Sequence, residues 1–274
     1  MVDRPSDRWV SGDAYEPYVG RWSRRVARAF LEWLAVEPGK EWLDVGCGTG
    51  ALTGTILALA APSRVVGVDP AEGFLHYASR RVDDRRASFA AGDAMSLPLL
   101  GGTFDVVVSG LVLNFVPDQP AAVAEMARMT RDAGAVGAYV WDYEGMELIR
   151  FFWDAAVDVD PTAGHLAEAG RFPLGRPEPL RALFEGAGLA EVDVRPIDVR
   201  TPFPDFDDYW TPFLGGQGPA PSYLLSLPDG HRVAVRERVR SMLPVAPDGT
   251  ISLTARAWAA RGRRANSTGA TRRP

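Results

Sequence analysis

The sequence predicts an α/β protein built on a mostly parallel sheet with helices on both faces. Between residues 41 and 142, short apolar runs alternate regularly with stretches of helical periodicity. The apolar runs at 64–68 and 104–109 are continuous enough for strands buried on both faces, which is typical of parallel sheets. Crossover connections in such sheets are right-handed, so the carboxyl ends of the strands meet at one edge, where these folds bind ligands.

The length and the cysteine usage fit a single large domain. At 274 residues, folding removes roughly 75% of the unfolded chain's surface from water, so no disulfide or metal is needed to hold the fold. Cys47 is the only cysteine, which excludes an intramolecular disulfide and a thiolate metal cluster and fits a reducing compartment. No apolar run is long enough to span a bilayer. We therefore expect a cytoplasmic protein with no membrane span and no bound metal.

The charge distribution argues against a nucleic-acid partner. The net charge is −5, and the last fourteen residues contain five arginines and no acid, so residues 1–260 carry a net charge of −10. An acidic body is a poor surface for phosphate backbones. The basic segment 261–274 has no apolar period, and we predict that it is a disordered tail.

The segment from Glu41 to Thr53 predicts a strand, a tight turn and the start of a helix. Its apolar run stops at Gly46, and glycines recur at positions 48 and 50. Glycines allow positive φ and let backbone N–H groups approach a ligand, with the N-terminus of the next helix aimed at the same place. The spacing is not the dinucleotide fingerprint G-x-G-x-x-G, and no lysine follows as in a nucleotide phosphate loop.

The order D-x-G-x-G-x-G, which begins at Asp44, resembles the first motif of the class I S-adenosylmethionine (SAM) methyltransferases. The likeness is to the small-molecule branch that includes quinone-biosynthesis enzymes. It implies a Rossmann-like sheet of seven strands, with the last strand antiparallel and helical lid insertions added. The predicted divisions are a single domain at 1–260 with an N-terminal helical cap at 8–36, lid insertions at about 143–174 and 201–245, and the tail at 261–274.

The second strand predicts a ribose contact. Asp69 lies 19 residues beyond Gly50, the distance at which nucleotide-binding α/β folds place an acid against the ribose hydroxyls. The alternative is that Asp69 only caps the helix that opens at Pro70 or Ala71.

The resemblance implies the remaining cofactor contacts. In the resembling enzymes, an Asp after the third strand and the next backbone N–H bind adenine, which assigns those roles to Asp93 and Ala94. An N-terminal segment commonly folds over the cofactor, so Tyr18 and Arg21 either meet the methionine carboxylate or pack in the core. The full predicted SAM set is Asp44, Gly46, Cys47, Gly48, Gly50, Asp69, Pro70, Asp93, Ala94, Ser109, Tyr18 and Arg21.

The loop after the fourth strand bears on the acceptor. Residues 110–118 lack the Asn- or Asp-Pro-Pro-aromatic run of enzymes that methylate a flipped base. They resemble the small-molecule enzymes, in which position 114 is often polar and near the transferring methyl; this makes Asn114 a candidate catalytic and substrate residue. Asp142, His165 and His231 are candidates for a base.

Aromatic residues in the two irregular segments allow two interpretations. They either anchor the insertions to the core or line an apolar acceptor pocket, in which Tyr209 and Trp210 would contact the substrate. The aromatics concerned are Phe151, Phe152, Trp153, Phe172, Phe203, Phe206, Tyr209, Trp210 and Phe213.

These features together predict a SAM-dependent methyltransferase. It would transfer a methyl group to an O, N or C atom of a small, hydrophobic or aromatic metabolite and release S-adenosylhomocysteine. Because the sulfonium is already a good leaving group, holding the reacting atoms in line in a dry site can supply up to about 7–11 kcal/mol. The alternatives are a methyltransferase of RNA or protein, and a SAM-binding protein without methyl transfer.

Overall fold

The computed structural model describes residues 18, 20–215 and 218–266, and in this part of the chain the strands form one seven-stranded sheet. The strand order is β3-β2-β1-β4-β5-β7-β6. Neighbours from β3 to β5 pair in parallel, and β7 pairs antiparallel with both β5 and β6. The predicted Rossmann-like sheet is confirmed. Its strands are β1 (Glu41–Val45), β2 (Arg64–Asp69), β3 (Ala87–Ala91), β4 (Phe104–Gly110), β5 (Thr130–Asp142), β6 (Leu189–Phe203) and β7 (Ile251–Arg264).

Helices cover both faces of the sheet, as the sequence predicts. The first three, α1 (Arg21–Leu34), α2 (Ala51–Leu59) and α3 (Glu72–Arg81), lie on one face, where Phe30 of α1 packs on Tyr139 of β5 with ring centroids 4.9 Å apart. The opposite face is covered by α4 (Gln119–Met129) and α6 (Pro177–Gly186), which share a second apolar cluster with the sheet.

The two insertions carry the remaining helices. Between β5 and α6 lie α5 (Glu147–Val159) and short 3-10 helices at Pro161–Leu166, Glu168–Gly170 and Pro173–Gly175. Between β6 and β7 lie α7 (Phe206–Trp210), the 3-10 helix Thr211–Gly215, α8 (Pro219–Ser226) and α9 (Asp229–Met242). Because β6 continues to Phe203, the second insertion begins at 204 and not at 201. We call the two insertions together the lid.

The lid has an aromatic core of its own. The rings of Phe152 in α5 and Phe213 in the second insertion are stacked, with centroids 4.7 Å apart and planes 9° from parallel. Tyr209 packs against both Phe203 and Phe213 at 5.4 and 5.5 Å. Stacked and edge-on ring pairs of this kind stabilise beyond the area that they bury, so the two insertions form one layer.

The predicted boundary of the tail is wrong by four residues. Arg261 to Arg264 continue β7. Their backbone pairs with β5 on one side and with β6 on the other, which keeps this segment in the sheet. The Arg261 guanidinium also donates to the Trp33 carbonyl at 2.8 Å, and the Arg264 guanidinium donates to the Thr130 carbonyl. Residues 267–274 lie outside the described residues, so tail disorder stays a prediction there.

Two other predictions fall partly outside the described residues. Residues 8–17 and 19 of the expected N-terminal cap are among those not described, whereas α1 forms within that cap. In the stretches 18, 20–215 and 218–266, no helix combines the length and the apolar character needed to cross a membrane.

Candidate active site

A cavity of about 410 Å³ lies at the carboxyl ends of β1, β2 and β4. One end is walled by the glycine turn after β1 and by the residues that follow β2 and β3. The other end is walled by Tyr18, by the end of β5 and by the lid. We call these parts the turn end and the lid end. A volume of this size and a mostly apolar lining are typical of small-molecule sites.

The glycine turn is shaped by three positive φ angles, at Gly46 (73°), Gly48 (51°) and Gly50 (79°). The N–H groups of Gly46 and Cys47 both donate to the Val68 carbonyl, at 2.7 and 3.0 Å, which fixes the turn to β2. A Cβ on Gly46 would lie 2.6 Å from both methyl carbons of Val112, whereas a Cβ on Gly48 would meet nothing within 4 Å. Gly46 is therefore required by packing, and Gly48 leaves room beside the cavity.

Asp69 is held rigidly at the turn end and is 6% exposed. Its Oδ2 accepts from the Gly48 N–H at 3.0 Å, and its Oδ1 accepts from the Ala71 N–H at 2.9 Å. Burial raises the pKa of this carboxyl, and the two backbone hydrogen bonds oppose that rise. Each oxygen keeps lone pairs for a ligand hydroxyl. The predicted ribose contact and the alternative role at the start of α3 are therefore compatible.

Asp44 lies behind the turn, outside the cavity lining. It is 1% exposed, and its Oδ2 accepts from the Thr53 hydroxyl at 2.6 Å, joining β1 to the first turn of α2. Burial raises the pKa of Asp44 to about 7; the hydrogen bonds from Thr53 lower it and the charge of Asp69 raises it. Asp44 therefore supports the turn from behind.

The predicted cofactor residues divide into those that line the cavity and those that do not. Those that line the cavity are Tyr18, Gly46, Cys47, Gly48, Asp69, Pro70, Asp93 and Ala94. Gly50 and Ser109 do not line it, because Gly50 starts α2 against Ala78 of α3 and Ser109 is fully buried in β4. At the lining, Asp93 accepts from the Met95 N–H at 2.8 Å and is otherwise exposed.

Arg21 does not line the cavity. Its guanidinium donates to both carboxylate oxygens of Asp208, at 2.9 and 3.0 Å, and lies over the rings of Trp22 and Phe203. Both bonds come from Nη1, and this ion pair joins α1 to the lid. The contact of Arg21 with the methionine carboxylate stays a prediction. Tyr18, by contrast, lines the cavity and is 3% exposed.

Cys47 lines the cavity as part of the turn, and its side chain is buried. Its Sγ would lie 2.9 Å from a Cβ placed on Gly67 of β2. Burial, with the nearby charges of Asp44 and Asp69, raises the pKa of the thiol well above its ordinary value. A thiol kept protonated is a poor nucleophile, so the side chain acts here as a small packing group.

None of the predicted catalytic residues lines the cavity. His165 and His231 are exposed in the lid. Asp142 accepts from the Gly145 N–H at 2.8 Å and from the Trp258 indole at 3.3 Å. Asn114 is 7% exposed in the 3-10 helix Leu113–Phe115, in which Phe115 is the residue that faces the cavity. The structure therefore does not bring these groups to the cavity, and their catalytic roles stay predictions.

Tyr209 and Trp210 also lie away from the cavity, in the core of the lid. The Tyr209 hydroxyl donates to the Leu148 carbonyl at 2.8 Å, and the Trp210 ring stacks on Phe206 at 6.0 Å. The other seven aromatics that were candidates for an acceptor pocket do not line the cavity either. Of the two interpretations, anchoring of the insertions is the one that the contacts fit.

The lid end is built by residues that the sequence did not single out. Trp141 and Tyr143 flank Asp142 at the end of β5, and Phe115 and Glu168 complete this wall. Strand alternation places Trp141 on the face opposite to Asp142, whereas Tyr143 lies in the turn after β5. Glu168 lies in an irregular segment without a period, so nothing local distinguished it.

Comparison with known proteins identifies the class. A family model described as "Methyltransferase domain" matches residues 43–137. The chain is 28% identical to nocamycin O-methyltransferase of Saccharothrix syringae over 84% of this chain and 88% of that protein. It is 32% identical to demethylmenaquinone methyltransferase of Roseiflexus sp. (strain RS-1) over 56% of this chain and 69% of that protein.

A third relative is longer. An uncharacterized 37.1 kDa protein in transposon TN4556 of Streptomyces fradiae is 29% identical over 62% of this chain, and the chain spans about half (54%) of its length.

Solved structures share the fold. Phosphoethanolamine N-methyltransferase 2 of Haemonchus contortus, in complex with S-adenosyl-L-methionine, aligns with a TM-score of 0.56 at 16% identity, over 91% of this chain and 56% of that chain. The (4+2)-cyclase SpnF aligns with a TM-score of 0.53 at 17% identity, over 89% of this chain and 81% of that chain. Such low identities show the fold alone.

The chain is therefore a Rossmann-like SAM-binding protein by fold and site. It belongs to the class I SAM-dependent methyltransferases, and its cofactor is SAM. The turn end fits this cofactor, because it combines an open backbone at Gly48, a buried carboxylate with spare lone pairs at Asp69, and a side chain and backbone pair at Asp93 and Ala94.

Proposed function

We propose that this enzyme methylates a small, flat, mostly apolar metabolite that carries a hydroxyl group. The observation that carries the proposal is the character of the lid end, where the rings of Tyr18, Phe115, Trp141 and Tyr143 form the wall. Rings favour a planar acceptor, because stacked and edge-on ring contacts add to the area that they bury. Nocamycin and demethylmenaquinone, named in two relatives, are small molecules, which agrees with this class.

The cofactor supplies an electrophilic methyl group on a positively charged sulfur. The protein's part is to hold the two reactants in line and to keep water away. Asp69 and the glycine turn would hold the nucleoside, and Asp93 with Ala94 would hold the adenine. The aromatic wall would orient the acceptor and exclude water. Little covalent help from side chains is then required.

The polar atoms at the lid end are few, which favours a hydroxyl over a larger charged group. The Trp141 indole N–H is buried and has no hydrogen-bond partner among the described residues, and Trp141 lines the cavity. A buried donor without a partner costs about 1–3 kcal/mol, so a ligand oxygen that accepts from it recovers that cost. An acceptor with an oxygen near its ring would meet this donor.

The first experiment measures SAM binding by calorimetry, with Asp69→Asn as the variant that weakens it. The second incubates the protein with methyl-labelled SAM and a panel of phenols, hydroxynaphthoquinones, aliphatic amines and RNA. We expect label in one or more of the hydroxylated aromatic compounds and none in the amines or RNA. Labelled RNA or amine, or SAM binding without transfer to any panel member, would contradict the proposal.

A further inference from the structure

Glu168 is a buried carboxylate in the wall of the cavity. It begins the short 3-10 helix Glu168–Gly170 in the first insertion, is 2% exposed and lines the lid end. Removing a carboxylate from water costs several kcal/mol unless partners compensate. Glu168 therefore places a carboxyl group in a part of the cavity wall otherwise dominated by rings.

A second buried side chain orients this carboxylate. The indole N–H of Trp153, in α5, donates to Oε2 of Glu168, and Trp153 is itself 5% exposed. An indole N–H donates only, so Glu168 accepts in this contact and its carboxylate is fixed relative to α5. Geometry of this kind, an acid oriented by a third group, is what a proton-transfer site requires.

The other carboxylates of the cavity wall are at the turn end. Asp69 is bonded to the glycine turn, and Asp93 stands after β3. Glu168 instead lies near Tyr18: burial raises the pKa of Tyr18 well above its ordinary value, and the charge of Glu168 adds to that rise. Among the lining residues that the structure describes, Glu168 is therefore the carboxylate placed on the acceptor side.

We propose that Glu168 is the catalytic base of the methyl transfer, and this rests on the proposed function. The acceptor hydroxyl donates to a Glu168 oxygen. As the acceptor oxygen forms its bond to the methyl carbon, its O–H bond breaks and the proton passes to Glu168. The carbon–sulfur bond breaks at the same time, and its electron pair stays on sulfur, which becomes neutral. Glu168 then returns the proton to solvent.

The test compares wild type with Glu168→Gln. A glutamine has the same shape and can still accept from Trp153, so the fold should be kept, which thermal melting checks. General base catalysis contributes roughly 10²–10⁴-fold. We expect kcat to fall about 100-fold or more with a phenol of ordinary acidity, while SAM affinity by calorimetry changes less than about twofold.

A series of phenols of graded acidity separates a base from a structural residue. A nitrophenol that is already ionised at the assay pH has no proton to give, so its rate should be nearly equal in the two proteins. The loss caused by Glu168→Gln should therefore shrink as the phenol becomes more acidic. Glu144→Gln is the matched control, because Glu144 is an exposed lid carboxylate paired with Arg176 and lies outside the cavity lining.

The contrary outcomes are distinct. An equal loss with every phenol would overturn the base assignment, and so would full activity in Glu168→Gln. A fall in SAM affinity that matches the fall in kcat would move Glu168 to the cofactor side and also overturn it. If wild type binds SAM and methylates no phenol of the series, the proposed acceptor class itself fails, and the base role fails with it.

Discussion

The turn end and the lid end of the cavity are built in different ways. At the turn end, a seven-residue motif shapes the backbone, and the buried carboxylate of Asp69 holds it through the Gly48 N–H. At the lid end, the wall consists of side chains that come from four separate parts of the chain. A backbone site leaves little room for change, whereas a side-chain wall can be altered residue by residue. The comparison explains how one cofactor site can serve many acceptors.

Gly46→Ala should have the largest effect, because it attacks the backbone of the turn. The new Cβ would lie 2.6 Å from Val112 at a φ of 73°, and strain and overpacking together cost roughly 2–5 kcal/mol. We expect a lower melting temperature and a SAM affinity reduced by roughly 100-fold or more.

Gly48→Ala is the matched variant, since its Cβ would meet nothing within 4 Å. It should lose only the roughly 1–2 kcal/mol of stability that an alanine costs at a φ of 51°, together with SAM affinity. A Gly46→Ala protein with the wild-type melting temperature would show that the turn tolerates change.

Asp44 should make stability depend on pH. Its folded pKa of about 7 lies above the ordinary value of 3.8, so the folded state binds more protons at this site between these pH values. The stabilising contribution is fully present below about pH 4 and is lost as pH rises through about 7, by up to about 4 kcal/mol. When the free energy of unfolding is measured with denaturant and plotted against pH, Asp44→Asn should lack the fall that Asp44 causes. Parallel curves for the two proteins between pH 5 and 8 would contradict it.

Asp69→Ala should weaken SAM binding by about 30-fold to several hundred-fold, or roughly 2–4 kcal/mol, because charge-assisted hydrogen bonds to the ribose are lost. Calorimetry measures this directly. Asp198→Ala serves as the control, because Asp198 pairs with Arg256 on the far strands. Wild-type affinity in a folded Asp69→Ala protein would remove this residue from the cofactor site.

Two tyrosines test the lid with the smallest expected effects. Tyr143→Leu removes a ring from the cavity wall and should reduce acceptor turnover about tenfold, or about 1.4 kcal/mol, with SAM affinity unchanged. Tyr209→Phe removes the hydrogen bond to the Leu148 carbonyl and should cost about 1–2 kcal/mol of stability without changing turnover. Melting and steady-state kinetics check both variants. If Tyr209→Phe lowered acceptor turnover and left the melting temperature unchanged, Tyr209 would belong to the acceptor site.

The sequence predicts the turn end well for a physical reason. Positive φ at Gly46, Gly48 and Gly50 follows from local residue type, and the position of Asp69 follows from the end of a strand with a clear apolar pattern. The alternation of strands and helices similarly predicts the sheet. These features depend on a few neighbouring residues, so a single sequence is enough to predict them without comparison to other sequences.

The lid end could not be predicted in the same way. Tyr18 and Glu168 are 150 positions apart and meet only in the folded protein. Tyr143 and Tyr209 are the same residue type in segments without a regular apolar pattern, so the sequence does not distinguish them. Only packing in the folded protein places Tyr143 at the cavity and Tyr209 in the core of the lid. At the end of β5, the sequence predicts a role for Asp142, whereas its aromatic neighbours Trp141 and Tyr143 are the residues that line the cavity.

The position of β7 between β5 and β6 has a consequence during protein synthesis. Because β7 is made after both of its neighbours, β5 and β6 leave the ribosome with unpaired edges while the second insertion is still being translated. Pairing of distant segments is slow, and unpaired edges are sites of aggregation. β6 therefore has no neighbour in the sheet until Ile251 to Arg264 emerge, and β7 then joins β6 to β5.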